Sequence, residues 1–170
     1  MGIRKAEKKD IEGIMHLLVQ VDMVHHNGRP DLFKGPTTKY SEEELEQILE
    51  DEDTPVFVYV EKPETEEGKI PVNADGEQVL GHAFCILQEH FGERLLADVK
   101  TLYIDDICVE EAARGKHVGQ SLYEYTEEYA RSIGCYNVTL NVWELNPGAR
   151  KFYEAMGMGV QKTGMEKILK

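Results

Sequence analysis

Apolar positions along this 170-residue chain recur with two periods, and the changes between them predict the order of helices and strands. Helical spacing first appears after Asp10, a predicted N-cap, where one face would carry Ile11, Ile14, Met15, Leu18 and Met23. Ser41 and Glu44 form a capping-box pattern, which predicts a second helix that ends near Glu50.

Two more helices are predicted in the second half of the chain. One runs from about His117 to Ile133 and is followed by Gly134, at the position where helices commonly end in a left-handed residue. The other lies within residues 146–157 and has Pro147 in its first turn. Helical patterns therefore account for four segments of the chain.

Runs rich in β-branched and aromatic residues predict the strands, which lie at residues 2–7, 54–62, 78–90, 101–109 and 136–145. A final strand and turn are expected within residues 158–169. Residues 63–77 are polar and contain proline and glycine, so they predict a long, exposed hairpin connection. The order of these segments predicts a mixed α/β sheet with helices on both faces.

The length and composition are typical of one globular domain, which we expect to span residues 1–170. Hydrophobic residues make up 41% of the chain and charged residues 30%, which argues against a disordered protein. No apolar run approaches the ~20 residues of a membrane span, and the charged N-terminus lacks the apolar core of a signal peptide. We therefore expect a cytoplasmic protein that has no membrane partner.

The excess of acidic over basic residues indicates which kinds of partner the protein can bind. The chain has 32 Asp and Glu against 19 Lys and Arg, so no basic face for nucleic acid can be assembled. Much of the acidic excess lies in residues 41–53 and 61–68. Such runs usually form a solvated surface, although their negative potential would also steer a cationic substrate. The composition favours the solvated surface and leaves the cationic substrate open.

The three cysteines, Cys85, Cys108 and Cys135, are scattered along the chain. Two of them lie in apolar, strand-like runs, where small buried thiols are common. A disulfide framework or a zinc site would need paired or closer spacings, so we expect neither.

The segment ARGKHVG concentrates positive charge at the start of the third predicted helix of an otherwise acidic chain. Arg114, Lys116 and His117 lie there beside Gly115 and Gly119, and helix N-termini carry unpaired backbone N–H groups. Such a turn suits a phosphate or pyrophosphate, although a solvated basic turn would give the same pattern. Neither GxxxxGK[ST] nor GxGxxG is present, which excludes two common nucleotide-binding motifs.

Two motifs follow each other within residues 104–158: a strand, an (R/Q)xxGx(G/A) turn and a helix, and then an NxxAxxFYxxxGF segment. The second motif is carried by Asn146, Ala149, Phe152, Tyr153 and Gly157, with Met158 where phenylalanine is common. In this combination the chain resembles the GNAT (Gcn5-related N-acetyltransferase) superfamily. The resemblance implies an α/β (α+β) fold of about six to seven strands and about four helices, and an N-acetyltransferase that uses acetyl-CoA.

The resemblance also implies how the coenzyme is held. The pantetheine arm would pair with the main chain of Ile107, Cys108 and Val109, and the pyrophosphate would lie over the basic turn. The remaining residues implied are Arg114, Gly115, Lys116, His117, Val118, Gly119 and Gln120, with Asn146 and Ala149 at the pantetheine arm. His117 stands where the family pattern has glycine, so its Cβ is expected to crowd the pyrophosphate while its backbone N–H remains.

Acetyl transfer to an amine needs a base for the ammonium and an acid for the departing thiolate. Tyr153 matches the general acid of the family, and a phenol holds its proton at neutral pH. The strand YIDDICV is similar to that of spermidine/spermine acetyltransferases, which implies Asp105 as base and Asp106 as a substrate-binding residue. Tyr103 is the alternative base, and a purely structural hydrogen bond stays open for both acids. Since strand neighbours face opposite sides of a sheet, at most one acid should face a given cleft.

The loop after the first predicted helix, HHNGRPDLFKGP, supplies Arg29 and Phe33 as candidates for binding the acceptor. Arg29 suits an acceptor carboxylate, which conflicts with a purely cationic polyamine. We expect a small primary amine that is polyamine-like or derived from an amino acid, with aminoglycosides and protein N-termini as alternatives. A sensor that binds acyl-CoA without turnover is less favoured, because Tyr153 and Asp105 provide both an acid and a base. The resemblance further implies a homodimer formed through C-terminal strands.

Overall fold

A mixed sheet of five strands forms the centre of the molecule, which we describe from a computed structural model for residues 2–63 and 70–169. The strands are β1 (Gly2–Lys5), β2 (Val56–Glu61), β3 (Gln78–Glu89), β4 (Lys100–Val109) and β5 (Asn137–Leu140), and they are neighbours in that order. All neighbouring pairs are antiparallel except β4 and β5, which run parallel. The predicted mixed sheet is confirmed.

Helices cover both faces of the sheet, as predicted, and each face has its own core. Within the described residues they are α1 (Ile11–Gly28), α2 (Glu42–Glu50), α3 (Val118–Ser132) and α4 (Pro147–Ala155). Leu17, Leu45 and Val58 are fully buried on the α1/α2 face, and Leu102 and Leu122 on the α3/α4 face. None of these helices is long and apolar enough to cross a membrane.

Local sequence signals fix where two of the helices begin. The Ser41 hydroxyl accepts from the Glu44 N–H (3.2 Å), and the Glu44 carboxylate accepts from the Ser41 N–H (2.8 Å), so the predicted capping box forms. Asn146 caps α4 by accepting from the Ala149 N–H (3.1 Å), with Pro147 in the first turn. These side chains fix the direction in which the chain enters each helix.

The expected six to seven strands are too many, because the described residues form five. Residues 158–169 contain no strand, and apolar side chains such as Val160, Met165 and Leu169 are exposed there. A strand requires a neighbour for its backbone groups, and two glycines further weaken extended order in this segment. The strand expected at 136–145 is also shorter, since the chain leaves the sheet after Leu140.

The connection expected between the second and third strands is described only in part. Residues 64–69 lie outside the described residues. Near its end, the Asn73 N–H donates to the Glu77 carbonyl oxygen (2.8 Å), and Val72 pairs with Gln78 across the turn. The described end of the connection therefore forms a tight turn into β3.

Candidate functional site

Most of the predicted site residues lie on or just after β4, and the two edges of this strand are used differently. Along one edge, β4 pairs with β3 over its whole length, from Lys100 to Val109. Along the other edge it pairs with β5 only from Thr101 to Ile104. In the part of the chain that the structure describes, residues 105–109 therefore have no strand beside them on this edge, and a cleft opens between β4 and β5.

The three residues assigned to the pantetheine arm lie on this open stretch of β4. Ile107 and Val109 pack against the core of the α3/α4 face. Cys108 belongs to the opposite core, where its thiol donates to the Leu17 carbonyl oxygen (3.6 Å). Burial raises the pKa of the Cys108 thiol to about 12, so the thiol is neutral at pH 7. The side chains are thus used in the two cores, and the main chain is what the strand offers along the cleft.

A β-bulge lies at the point where the cleft opens. Phe84 of β3 pairs with Asp106, and the next residue, Cys85, pairs with Ile104, so Asp105 is an extra residue in β4. A bulge re-aims side chains, and here it brings both acids to the α1/α2 face, where Phe84 is buried. The expectation that the two acids point to opposite faces of the sheet is therefore wrong, because it assumed a regular strand.

Asp106 is held by a buried histidine on the neighbouring strand. His82 has no exposed surface, and its Nε2 lies 2.8 Å from the Asp106 Oδ2. The His82 ring packs edge-on against Phe84, with ring centroids 4.9 Å apart. Its Nδ1 is also buried and has no hydrogen-bond partner among the described residues. The Asp106 side chain keeps 19% of its surface exposed, so the pair reaches from the core to the cleft.

Asp105 is held from the loop between α1 and α2. Lys39 forms an ion pair with the Asp105 Oδ2, and the Tyr40 hydroxyl donates to the same oxygen (3.3 Å). Burial lowers the pKa of the Lys39 ammonium, but the hydrogen bond and charge of Asp105 outweigh burial and raise it overall. Tyr40 in turn packs on Phe84, with ring centroids 5.6 Å apart. The two neighbouring acids therefore have different partners: a cation for Asp105 and a buried imidazole for Asp106.

The basic turn connects β4 to α3, and its backbone explains its glycine pattern. Gly115 (φ 78°) and His117 (φ 62°) are both left-handed, and His117 is the N-cap of α3. Histidine tolerates this conformation better than β-branched residues do, at some cost relative to glycine. A Cβ built on Gly115 would meet no atom within 4 Å, so the space over the turn is open. The Arg114 Nε donates to the Val109 carbonyl oxygen (3.3 Å), which ties the turn to the end of β4.

The first turn of α3 lies close to the end of β4 and to α4. A Cβ on Gly119 would lie 3.4 Å from a methyl group of Val109 and 3.7 Å from the Phe152 ring. Val118 is buried in the same core, whereas the Gln120 side chain contacts His117 Nδ1 (3.2 Å). Lys116 is exposed at the surface. The predicted pyrophosphate residues therefore divide into a packed side and an exposed, basic side.

A buried carboxylate that the sequence analysis missed lies beneath this turn. Glu110 directly follows β4, is 7% exposed, and contacts His16 Nε2 (2.9 Å) and Gln20 Nε2 (2.7 Å) of α1. Burial raises the pKa of the Glu110 carboxyl, but the hydrogen bonds from Gln20 and His16 outweigh burial and lower it overall. The carboxylate thereby anchors the start of the turn to α1.

Tyr153 lies on α4, on the α3/α4 face of the sheet, whereas the two acids lie on the α1/α2 face. Its ring packs against Phe152 (5.1 Å between centroids) and Tyr123 (6.3 Å) in the core of the α3/α4 face. Burial, assisted by the negative charge of Asp106, raises the pKa of the Tyr153 phenol well above its usual value. The phenol is therefore a neutral proton donor at physiological pH. On the same helix, Asn146 uses its Oδ1 in the cap, so its amide N–H₂ group is what it can offer to a ligand.

The two acceptor candidates lie at the end of α1, close to the chain that leaves β5. Phe33 stacks on His25 (5.0 Å between centroids) and meets Trp143 edge-on (5.3 Å). Arg29 pairs with Asp31 (2.9 Å) and Glu166 (2.8 Å), so its guanidinium already has two carboxylate partners. Phe33 therefore packs between the end of α1 and the chain after β5, while Arg29 links the end of α1 to the C-terminal segment.

Tyr103, the alternative base, lies in the part of β4 that is paired on both sides. It pairs with Ile86 of β3 and Thr139 of β5, and its hydroxyl oxygen accepts from the Asn141 amide (3.1 Å).

Two surface cavities, of about 370 and 320 Å³, are not lined by any predicted site residue. The candidate site is thus the open cleft along β4. No group of three or more metal-binding side chains occurs among residues 2–63 and 70–169.

His82 and Lys39 were also missed in the sequence, for different reasons. His82 lies in an apolar run, LGHAFCIL, and a histidine in such a strand was a usable signal that was overlooked. Lys39 and Asp105 are 66 residues apart, and nothing local in the sequence links them.

Comparison with known protein families shows which family the chain belongs to. The model of the acetyltransferase (GNAT) family matches residues 30–158, which is well over half of the chain. The chain belongs to the GNAT family. Among solved structures, a tetramutant of the BH1408 protein from Bacillus halodurans is 27% identical and superimposes with a TM-score of 0.86, with 99% of this chain and 100% of that chain covered. The GNAT fold is therefore shared along the whole chain.

Two relatives of named activity are more distant. A glucosamine 6-phosphate N-acetyltransferase from Arabidopsis thaliana is 26% identical over 99 residues, which is 51% of this chain and 64% of that protein. The match thus spans less than two thirds of that relative. An aminoglycoside N-acetyltransferase, AAC(6′)-Iy, in complex with CoA is 16% identical over 99% of both chains, with a TM-score of 0.66. At this identity the second comparison shows the GNAT fold alone.

Proposed function

We propose that this GNAT protein is an N-acetyltransferase that transfers an acetyl group from acetyl-CoA to a primary amine of a small molecule. The observation that carries the proposal is the open edge of β4 at residues 105–109. Two carboxylates lie at the start of this edge, the basic turn lies at its end, and Tyr153 of α4 is within electrostatic range of Asp106. This is the arrangement that acyl transfer from a thioester to an amine requires.

The open edge and the turn fit the two ends of the coenzyme. The main chain of Ile107, Cys108 and Val109 would pair with the amides of the pantetheine arm, as a strand does in β-augmentation. The backbone N–H groups of residues 115–120 and the cations Arg114 and Lys116 would hold the pyrophosphate, with open space over Gly115. The complex of the aminoglycoside acetyltransferase with CoA is consistent with a coenzyme in a fold of this kind.

When bound, the coenzyme supplies an acetyl thioester, and side chains near the cleft accept and donate the protons. An alkyl amine with a pKa near ~10.4 arrives charged, so a base must take up its proton before attack. The resemblance assigns this task to Asp105, with Tyr103 as the alternative, and substrate binding to Asp106. Tyr153 gives its proton to the departing sulfur, since its phenol stays neutral.

The acceptor side is proposed to be the α1/α2 face of the cleft. Phe33 and Trp143 provide an aromatic wall, and the paired acids of the bulge provide negative charge for an ammonium group. Because Arg29 is already paired with two carboxylates, it gives little support for an acceptor carboxylate. We therefore favour a polyamine-like amine over an amino-acid-derived one. The named relatives add amino sugars to the compounds to be tested.

A thiol-release assay with acetyl-CoA tests the proposal. The amine panel consists of spermidine, free amino acids, glucosamine 6-phosphate, aminoglycosides and peptides with free N-termini. We expect release that depends on at least one amine, with the acetylated product confirmed by mass spectrometry. Tight binding of acetyl-CoA without release for any amine would contradict the enzyme assignment and favour a coenzyme sensor.

The homodimer implied by the resemblance stays a prediction. The outer edge of β5 has no partner strand among the described residues, and apolar side chains of the C-terminal segment, such as Met165, are exposed. We propose that these surfaces meet in a second copy. Light scattering of the purified protein would give the mass of one or of two chains.

A further inference from the structure

We propose that Asp106, and not Asp105, receives the proton of the acceptor amine, and that His82 is the positioning residue that holds Asp106. This inference rests on the proposed function and exchanges the two roles that the resemblance assigns. It is carried by the different partners that the bulge gives to two adjacent carboxylates.

His82 is positioned to donate a hydrogen bond to one atom, Asp106 Oδ2. A carboxylate only accepts hydrogen bonds, so His82 Nε2 carries the hydrogen that is directed at Asp106 Oδ2. Its Nδ1 is buried without a partner in the described part of the chain, which favours the neutral ring because an N–H there would have no acceptor. The neighbours of His82 across the sheet are Val58 and Cys108, which are both buried. An apolar residue would fill this position at lower cost, so the imidazole has a use beyond packing.

Asp106 is left with one oxygen free. Oδ2 is held by His82, whereas Oδ1 makes no hydrogen bond to any described residue. The side chain is 19% exposed and lies at the start of the open edge of β4. An ammonium group in the cleft can therefore approach Oδ1 without displacing an existing partner.

Asp105 differs in the charge of its partner: its Oδ1 also has no hydrogen-bond partner among the described residues, but its Oδ2 is held by a cation. Lys39 already neutralises its carboxylate and shares Oδ2 with the Tyr40 hydroxyl. A carboxylate that is paired with an ammonium gains less by taking up a proton, because protonation breaks the ion pair. Asp105 and Lys39 together therefore hold the α1–α2 loop against the bulge, beside the cleft.

The charge of Asp106 also reaches Tyr153. That charge contributes, after burial, to the raised pKa of the Tyr153 phenol. Asp106 contacts His82 of β3 and interacts electrostatically with Cys108 of β4 and Tyr153 of α4. Its sequence neighbour Asp105 is paired with Lys39 and Tyr40 of the α1–α2 loop. Asp106 and Tyr153 therefore lie within electrostatic range of each other, and we assign them the roles of base and acid.

Asp106 and Tyr153 together account for every proton that moves in the reaction. Asp106 takes one proton from the ammonium of the acceptor, and the freed nitrogen attacks the thioester carbon. The C–N bond forms as the C–S bond breaks, and Tyr153 protonates the sulfur. The second proton of the nitrogen returns to Tyr153 through water, and Asp106 releases its proton to solvent. The net products are the acetylated amine, CoA and one proton.

The closing experiment compares Asp106→Asn with Asp105→Asn in the thiol-release assay. We expect kcat to fall by about 10²–10⁴-fold in Asp106→Asn, the range for loss of a general base, and by less than about tenfold in Asp105→Asn. The opposite order would overturn the inference and restore Asp105 as the base.

The role of His82 is tested with two substitutions. His82→Leu removes the donor, whereas His82→Gln keeps an N–H₂ group near the position of Nε2. We expect His82→Leu to lower kcat at least about tenfold and to move the acid limb of the pH–rate profile to higher pH, and His82→Gln to recover most of both effects. Equal profiles for wild type and His82→Leu would overturn the positioning role. His90→Leu, a histidine outside the cleft that contacts Glu93, controls for loss of an imidazole.

A spectroscopic readout does not depend on turnover. Because His82 is fully buried, its Nε2–H should give a slowly exchanging, downfield proton resonance. We expect this resonance to shift in Asp106→Asn and to stay in place in Asp105→Asn. If the resonance does not shift in Asp106→Asn, the inference is overturned even if the enzyme is active. If the resonance behaves as expected but no amine supports thiol release, the proposed function fails, and the proton-accepting role of Asp106 fails with it.

Discussion

The two halves of β4 have the same length but different surroundings. Residues 100–104 pair with β3 on one side and, from Thr101, with β5 on the other, and Leu102 and Ile104 are buried in the α3/α4 core. Residues 105–109 pair with β3 only and begin with a bulge. The first half satisfies its backbone within the sheet, whereas the second half presents a free edge next to charged side chains.

This difference shows which part of a stable sheet can carry a ligand-binding site. The fully paired half fixes the position of the strand through burial and hydrogen bonds. The open half continues the same strand, so its backbone is held in position, while the backbone N–H and C=O groups on its free edge have no partner strand among the described residues. We expect substitutions in the paired half to change stability, and substitutions around the open half to change catalysis or binding.

Leu102→Ala is expected to have the largest effect on the paired half. Its side chain is fully buried, so the loss of contacts and the cavity should lower the free energy of unfolding by about 2–5 kcal/mol. Ile107→Ala in the open half, where the side chain is only partly buried, should cost less than half as much. Chemical denaturation measures both values, and equal losses would show that the two halves do not differ in this way.

Tyr153→Phe should lower kcat about 100-fold or more and leave the affinity for acetyl-CoA nearly unchanged, since only the proton donor is lost. Tyr129→Phe, a partly buried tyrosine on the same face, is the matched control. Because the pKa of Tyr153 is raised, its proton is retained up to and beyond pH 10, so a fall in rate at lower alkaline pH must come from another group. A Tyr153→Phe variant with wild-type kcat would exclude the phenol as the acid.

Arg114→Ala should weaken binding of CoA about tenfold, because one cation at the pyrophosphate and the link to the Val109 carbonyl are lost. Calorimetric titration with CoA at two salt concentrations measures this, and the difference from wild type should shrink as salt rises. Arg131→Ala at the far end of α3, where the arginine pairs with Glu127, is a control that should bind as wild type does. Similar losses in both variants would indicate a general charge effect.

His117→Gly is expected to have the smallest effect. Glycine relieves the left-handed strain at φ 62° but adds chain entropy, so stability should rise by about 0.5–1 kcal/mol at most. If the His117 Cβ crowds the pyrophosphate, the affinity for CoA should also rise. Thermal unfolding with and without CoA separates the two effects, and a destabilised variant would show that the imidazole contact with Gln120 matters more than the strain.

The sequence by itself determined the kinds of elements and the motif that marks the coenzyme site. The capping box at Ser41 is local, so it could be read from a few neighbouring residues, and it forms as expected. The basic turn before α3 was visible for the same reason. The structure adds that Gly115 and His117 are its left-handed residues and that Arg114 ties it to the Val109 carbonyl oxygen. The cap that Asn146 provides for α4 was not predicted. The GNAT resemblance, which rests on such local motifs, is confirmed by the family comparison.

Tertiary structure decided what the acids of β4 face and what holds them. The bulge at Asp105 depends on pairing with a strand some twenty residues earlier in the chain, so alternation within β4 gave the wrong orientation. Likewise, His82 meets Asp106 and Lys39 meets Asp105 only after the sheet and the α1–α2 loop are assembled. The last predicted strand failed for the converse reason, because no neighbour pairs with residues 158–169 in the described chain. Strand pairing is a non-local interaction, and only the folded molecule specifies its register.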